Sequence, residues 1–163
     1  MRAVIQRVRQ AAVYVSDHPG AGSPPAPGEI AGRIGLGFVV LLGVHMNDAP
    51  DDAATLAGRV ASLRVFDDEA GRLNRSLLDI GGEVLSVPQF TLYADTRRGR
   101  RPSFVEAAPP ERAEPLYLRF NARLAEAGVR VVPGRFRTHM VVEIHNDGPV
   151  TIVLDSSSRS WPA

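Results

Sequence analysis

The run His145-Asn-Asp-Gly-Pro-Val-Thr-Ile-Val-Leu-Asp-Ser156 sets turn chemistry, Asn146-Asp147-Gly148-Pro149, between two strand-like segments, Met140–His145 and Val150–Leu154. Two readings fit. In the first this is a hairpin corner: Asx-Gly supplies a positive φ, and proline is tolerated at a strand's first position because its missing N–H costs least there. In the second the Gly-Pro peptide is itself a functional device. The residues alone leave both open, and the rest of the chain bears on the choice.

Working outward, Arg2–Arg9 alternates apolar and polar residues as a strand does, and Ala12–Val15 continues the pattern. Asp17–Glu29, rich in Pro, Gly and small residues, reads as a flexible loop inserted in a hairpin whose return strand is Glu29–Arg33. The continuous apolar run Gly37–Val44 marks a strand buried on both faces. Asp48-Ala-Pro-Asp-Asp opens a helix, with Leu56, Val60 and Leu63 at helical spacing as far as about Arg64. Asp67–Gly71 is a turn, and Gly81-Gly82 precedes a strand over Glu83–Val87. A second helix opens near Pro110-Glu111 and carries Leu116, Phe120 and Leu124 on one face to Gly128, followed by a strand over Val129–Val132. The expected fold class is mixed α/β, strand layers with two main helices packed on one side, in one domain over residues 1–155. Residues 156–163 form a polar, frayed tail.

Composition limits the chemistry. The chain has 163 residues, 44% hydrophobic and 23% charged, ordinary values for a globular protein. No apolar run approaches the roughly 18 residues of a membrane span, and the N-terminus lacks a signal-peptide core, so the expected location is the cytoplasm, with no membrane partner. With no cysteine, a disulfide, a thiolate zinc site and a cysteine nucleophile are excluded. The four histidines, His18, His45, His139 and His145, fall in no metal-ligand spacing, so neither metal nor cofactor is expected. All 19 cationic side chains are arginines and the net charge is only +1, so a nucleic-acid site must be a local patch.

One such patch exists. Ser86-Val-Pro-Gln-Phe-Thr-Leu-Tyr-Ala-Asp-Thr-Arg-Arg-Gly-Arg-Arg-Pro-Ser-Phe104 leaves a strand and enters a loop bearing Arg97, Arg98, Arg100 and Arg101 around Gly99. Four guanidinium groups this close are either solvated or meet an anion. A strand end with Gln89 and Thr91 beside such a loop is chemistry suited to a phosphate-bearing ligand.

PQFTLYADTRRGRRPSF together with NDGPVT resembles the D-aminoacyl-tRNA deacylase (DTD) family, whose paired motifs are SQxTL and NxPxT. The similarity runs nearly end to end, through the MRAVIQRV start, the VVLLGV strand, the PERAEPLY helix and the GRF…M segment. It implies a DTD-like β/β/α fold and a homodimeric hydrolase. Its substrate is the ester between a D-amino acid, or glycine, and the 3′-terminal adenosine of tRNA. In that family the Gly-Pro peptide, here Gly148-Pro149, is cis and enters the partner's site, where its carbonyls receive the substrate α-amino group and exclude an L side chain. The resemblance thus favours the device over the corner.

Carried over position by position, Gln89, Phe90 and Thr91 fall on the catalytic motif, with main-chain N–H groups near Phe90 and Thr91 facing the ester carbonyl. Asn146, Gly148, Pro149 and Thr151 fall on the substrate-binding motif. Phe136 and Met140 match positions around the terminal adenosine, with core packing as the alternative for Phe136. Arg7 matches a first-strand arginine that braces the Gly-Pro loop. The chain offers no base to activate Thr91 as a nucleophile, and the preferred implication is assistance by the RNA's own 2′-hydroxyl.

Three departures stand out. Pro88 replaces the usual Ser, as in a sister family that has a trans Gly-Pro and clears L-alanyl esters. Arg137-Thr138 replaces a small pair, and the 17–29 loop is long. Two rival classes, an inert tRNA-end binding module and a purely structural dimer, share the composition but leave the paired motifs without a role.

Overall fold

The computed structural model describes residues 1–16, 29–97 and 99–157. Most of the inserted 17–29 loop, Arg98, and all of the tail after Ser157 therefore lie outside the described residues.

The architecture is organised by one long strand, β1 (Arg2–Ser16), which carries three antiparallel partners. Along one edge it pairs with β8 (His139–Asp155) from Arg2 to Ser16. On the other edge, residues 2–8 pair with β3 (Gly37–Gly43) and residues 11–15 with β2 (Glu29–Ile34). Beyond β3 the sheet continues in parallel through β6 (Glu83–Pro88) and β7 (Arg130–Pro133). The sequence Gly-Phe-Val-Val-Leu-Leu-Gly of β3 is buried almost throughout, as a strand covered on both faces must be. The turn read over Asp67–Gly71 joins a small hairpin of β4 (Phe66–Asp67) and β5 (Leu73–Arg75). Between β5 and β6 lies α2 (Leu77–Ile80), a single turn that the sequence reading had missed.

Two helices cover one face of the sheet, as expected. α1 (Pro50–Ser62) starts with Pro50 at its first position, and the Asp52 carboxylate accepts the Ala49 N–H at 2.9 Å. It buries Ala53, Leu56, Ala57 and Val60. α3 (Pro110–Glu126) buries Leu116, Tyr117, Phe120 and Leu124 against α1 and the sheet. This core takes in Ala3 and Ile5 of β1 and Phe38, Val40 and Leu42 of β3. A second core forms on the opposite face from Val8, Ala11 and Val13 of β1, Val39, Leu85 and Val87, with Met140, Val142 and Ile144 packed against it. No helix among the described residues is long and apolar enough to cross a membrane.

The largest departure from expectation lies at the opening stretch. Met140–His145 and Val150–Leu154 are not two strands joined by a corner. They are one strand, β8, and both halves pair with β1. Gln6 pairs with Thr151 and Val8 with Asn146, so the single residue Arg7 faces four, Asp147 to Val150. Those four leave the ladder as a protruding loop. One step on, Gln10 pairs with His145, so Arg9 has no counterpart and forms a bulge. The bulge reverses the alternation of β1: Ala3 and Ile5 face the helices, whereas Ala11 and Val13, also odd-numbered, face the second core. The tail expected to fray from residue 156 is tied down at its first residue. Ser156 N donates to Met1 O (2.8 Å), and its hydroxyl accepts from the Met1 ammonium (2.5 Å), which also meets Asp48 Oδ1 at 2.6 Å.

Candidate active site

The parallel strands β3, β6 and β7 end together, and the chain that follows their carboxyl ends encloses a cavity of about 550 Å³. That is where open α/β sheets place ligands, and the volume suits a drug-sized molecule. Leu42, Val44, Val87 and Val142 line its inner part; Pro88, Gln89, Phe90 and Phe104 line one side; Phe136 to Met140 line another.

After β6 the chain closes into a 3₁₀ turn over Phe90–Tyr93. Gln89 N donates to Leu42 O (2.8 Å) and anchors the turn to β3. Gly43 makes this close approach possible: a Cβ there would lie 3.1 Å from Gln89 O, Leu92 Cβ and Tyr93 Cε2. The first bond inside the turn is Leu92 N–H to Gln89 O at 3.3 Å. The N–H groups of Phe90 and Thr91 precede it and have no acceptor among the described residues. The Gln89 side-chain amide donates to the Thr91 hydroxyl. Thr91 itself is exposed and does not line the cavity. Phe90 is 58% exposed, and its ring meets Phe104 edge to face with centroids 5.0 Å apart.

Tyr117 rises from α3 and donates its hydroxyl to Ser86 O (2.8 Å) and Gly134 O (3.3 Å). Burial pushes this phenol above its usual range, so it remains a donor. It pins β6 to the segment after β7 and so sets the width of the cavity between them.

The Gly-Pro loop is a separate assembly. The Gly148–Pro149 peptide is cis, both residues are exposed, and neither lines this chain's cavity. Gly148 has φ 122°, where an L side chain is strained, and a Cβ there would lie 2.8 Å from Val150 Cγ2 and 3.1 Å from Arg7 Nη2. Asn146 closes the loop: its Oδ1 accepts from Val150 N (2.9 Å) and its Nδ2 donates to Thr151 Oγ1 (3.2 Å). Arg7 is buried beneath. Its Nε donates to Asp147 O (3.0 Å) and its Nη1 to Val65 O (2.8 Å) and Asp67 Oδ2 (3.3 Å). Asn146, Thr151 and Arg7 therefore use their polar groups within the loop and its support.

The named residues thus fall into three places. Gln89, Phe90, Phe136 and Met140 meet at the cavity; Arg7, Asn146, Gly148, Pro149 and Thr151 form the projecting loop; Arg97, Arg100 and Arg101 are exposed on a third segment. Arg98 lies outside the described residues. Arg97 is engaged, with Nε 2.8 Å from Asp95 Oδ1, and this guanidinium holds the Asp95 carboxyl down at about 2. Sequence reasoning missed Phe104 and Tyr117. The hydroxyl of Tyr117 on the apolar face of α3 was the available signal for one, and nothing local marked the other. No group of three or more potential metal-ligating side chains occurs among the described residues.

The D-Tyr-tRNA(Tyr) deacylase family profile matches residues 4–155. A D-aminoacyl-tRNA deacylase of Thermus aquaticus is 55% identical over 159 residues, covering 98% of this chain and 97% of the relative. Its counterpart from Desulforudis audaxviator is 57% identical over 156 residues, with 96% and 97% covered. A solved c-Myc DNA Unwinding Element Binding Protein superposes with TM-score 0.83 at 38% identity, covering all of both chains. A probable eukaryotic D-amino acid tRNA deacylase, 18% identical, superposes with TM-score 0.74 over 94% of this chain and 97% of its own, a likeness of fold. The fold, the paired motifs and these relatives agree, and the chain belongs to the D-Tyr-tRNA(Tyr) deacylase family.

Proposed function

We propose that this chain hydrolyses the ester joining a D-amino acid, or glycine, to the 3′-terminal adenosine of tRNA, acting in the cytoplasm as a homodimer that proofreads chirality in translation. The observation that carries this reading is the pairing of an open cavity with two main-chain N–H groups, those of Phe90 and Thr91, that have no acceptor among the described residues, where the chain leaves β6 for the cavity wall. Such donors suit the oxygen that gains charge when an ester carbonyl is attacked. The terminal adenosine takes the space beside Phe136 and Met140. Water adds to the ester carbonyl carbon, the bond to the ribose oxygen breaks, and that oxygen leaves with a proton. The amino acid and free tRNA are released.

Thr91 assists through position and not as a nucleophile, because its hydroxyl meets Gln89 and no base among the described residues. The ribose 2′-hydroxyl, adjacent to the scissile ester, is the polar group suited to assist the attacking water. Gly148-Pro149 lies outside its own chain's cavity, which fits a loop that completes the site of a second copy. There, main-chain atoms fixed between two paired half-strands receive the α-amino group and leave no room for an L side chain. Residues 1–155 form the deacylase unit, and Arg100 and Arg101 meet the acceptor-end phosphates.

The test is ester loss from D-tyrosyl-, glycyl-, L-tyrosyl- and L-alanyl-tRNA. Rapid loss of the D and glycyl esters with both L esters spared is expected. Loss of the L-alanyl ester would move the chain to the sister activity that Pro88 resembles, and no loss from any would leave an RNA-binding module.

A further inference from the structure

Arg137 has φ 58°, the one positive value recorded for a described residue other than glycine. The left-handed region strains a residue that bears a side chain, and arginine has no short polar side chain to offset it locally. The turn that holds it is closed by Thr138 Oγ1 donating to Arg135 O at 3.0 Å. Arg137 lines the cavity between Phe136 and Met140, and it is exposed. Other cations are engaged: Arg135 with Glu29 at 3.3 Å, Arg97 with Asp95 at 2.8 Å, and Arg130 with Glu83. Arg137 has no carboxylate within ion-pair distance among the described residues. Arg100 and Arg101 are also exposed, but neither lines the cavity. A strained, unpaired guanidinium on the wall of a mostly apolar cavity is arranged for an anion that reaches the cavity with the ligand.

We propose that Arg137 is a substrate-binding residue that grips the phosphodiester joining the terminal adenosine to the preceding nucleotide. The inference rests on the tRNA reading above. A nucleoside seated beside Phe136 and Met140 carries its phosphate outward, past the turn that bears Arg137, and the planar guanidinium can take two phosphate oxygens at once. The adenosine alone would not engage it.

Glycine is the residue this backbone conformation favours, so Arg137→Gly removes the charge without disturbing the turn. We would measure kcat/KM for D-tyrosyl-tRNA and for D-tyrosyl-adenosine, which has no phosphate, over a series of salt concentrations. Relative to the unsubstituted chain, R137G is expected to lower the tRNA-to-adenosine ratio about five- to tenfold at low salt. It is also expected to flatten the dependence of log(kcat/KM) on log salt for tRNA by about 0.7. Arg137→Lys should keep the slope while losing part of the ratio. An unchanged ratio and slope in R137G overturns the proposal, and so does an equal loss on both substrates. Failure of the unsubstituted chain to cleave either substrate would instead overturn the deacylase reading, and this inference with it.

Discussion

Replacing Arg7 by methionine keeps the bulk of the side chain and removes every polar contact beneath the Gly-Pro loop. Two of those contacts go to main-chain carbonyls, Val65 O at 2.8 Å and Asp147 O at 3.0 Å. Each is a charge-assisted bond whose loss leaves an acceptor short of a partner, worth about 1 kcal/mol or somewhat more. The carboxylates add little: Asp67 is 53% exposed at 3.3 Å, and Asp147 lies at 3.7 Å with 27% exposure, so solvent screens both. The expected loss is therefore roughly 2–3 kcal/mol, or about 5–10 °C in Tm for a chain of this size. Urea unfolding followed by circular dichroism would measure it. Deacylation well below the new Tm should fall further than the folded fraction, because Arg7 fixes where Asp147 sits. A loss below 1 kcal/mol, or a destabilised variant that keeps full activity while folded, would refute the argument that Arg7 sets the loop.

Three further changes have definite outcomes. Tyr117→Phe removes the hydroxyl bonded to Ser86 O and Gly134 O, and should cost about 1–2 kcal/mol by thermal melt while raising KM more than it lowers kcat; unchanged KM would disconnect Tyr117 from the cavity's width. Arg97→Ala should return the Asp95 carboxyl from about 2 toward its ordinary 3.8, read by NMR titration. Because the folded value is depressed, this contact contributes fully above pH 3.8 and is lost as pH falls through about 2. An unmoved Asp95 titration in the variant would deny the pairing. Asp48→Ala strips an acceptor from the buried Met1 ammonium, 2.6 Å away, and should cost about 2–4 kcal/mol in urea; a loss under 1 kcal/mol would show that water replaces the carboxylate.

The elements that depend on local pattern were legible in the sequence. The apolar run of β3, the Pro-Asp-Asp start of α1 and the Leu116–Phe120–Leu124 face of α3 each follow from neighbours within a few residues. The central strand pair was not, because what makes Asn146–Pro149 a projection and not a corner is pairing with β1, some 140 positions away. A turn signal says that the ladder is interrupted and does not say which strand resumes it. At the site, Gln89 and Phe90 were found by motif, and the structure places them with Phe136 and Met140. Phe104 and Tyr117 reach the same cavity through tertiary packing that no short motif records. The positive φ of Arg137 was hidden for a simpler reason: the composition of Arg-Phe-Arg-Thr names no residue that favours it.

The bulge at Arg9 has a consequence for how this chain tolerates change. Arg9 is 79% exposed, and its pairing with Asp147 at 2.9 Å is a solvated contact of small value, so almost any side chain can stand there. Its backbone is another matter. Without that one residue, Ala11 and Val13 would turn their side chains toward the wrong face, and the cluster behind β1 would lose its floor. The loop and the cavity wall share one strand, so the damage would travel along β8 to Met140 and Val142. Arg9 is a position that can be rewritten freely but not deleted, a spacer whose length matters and whose chemistry does not.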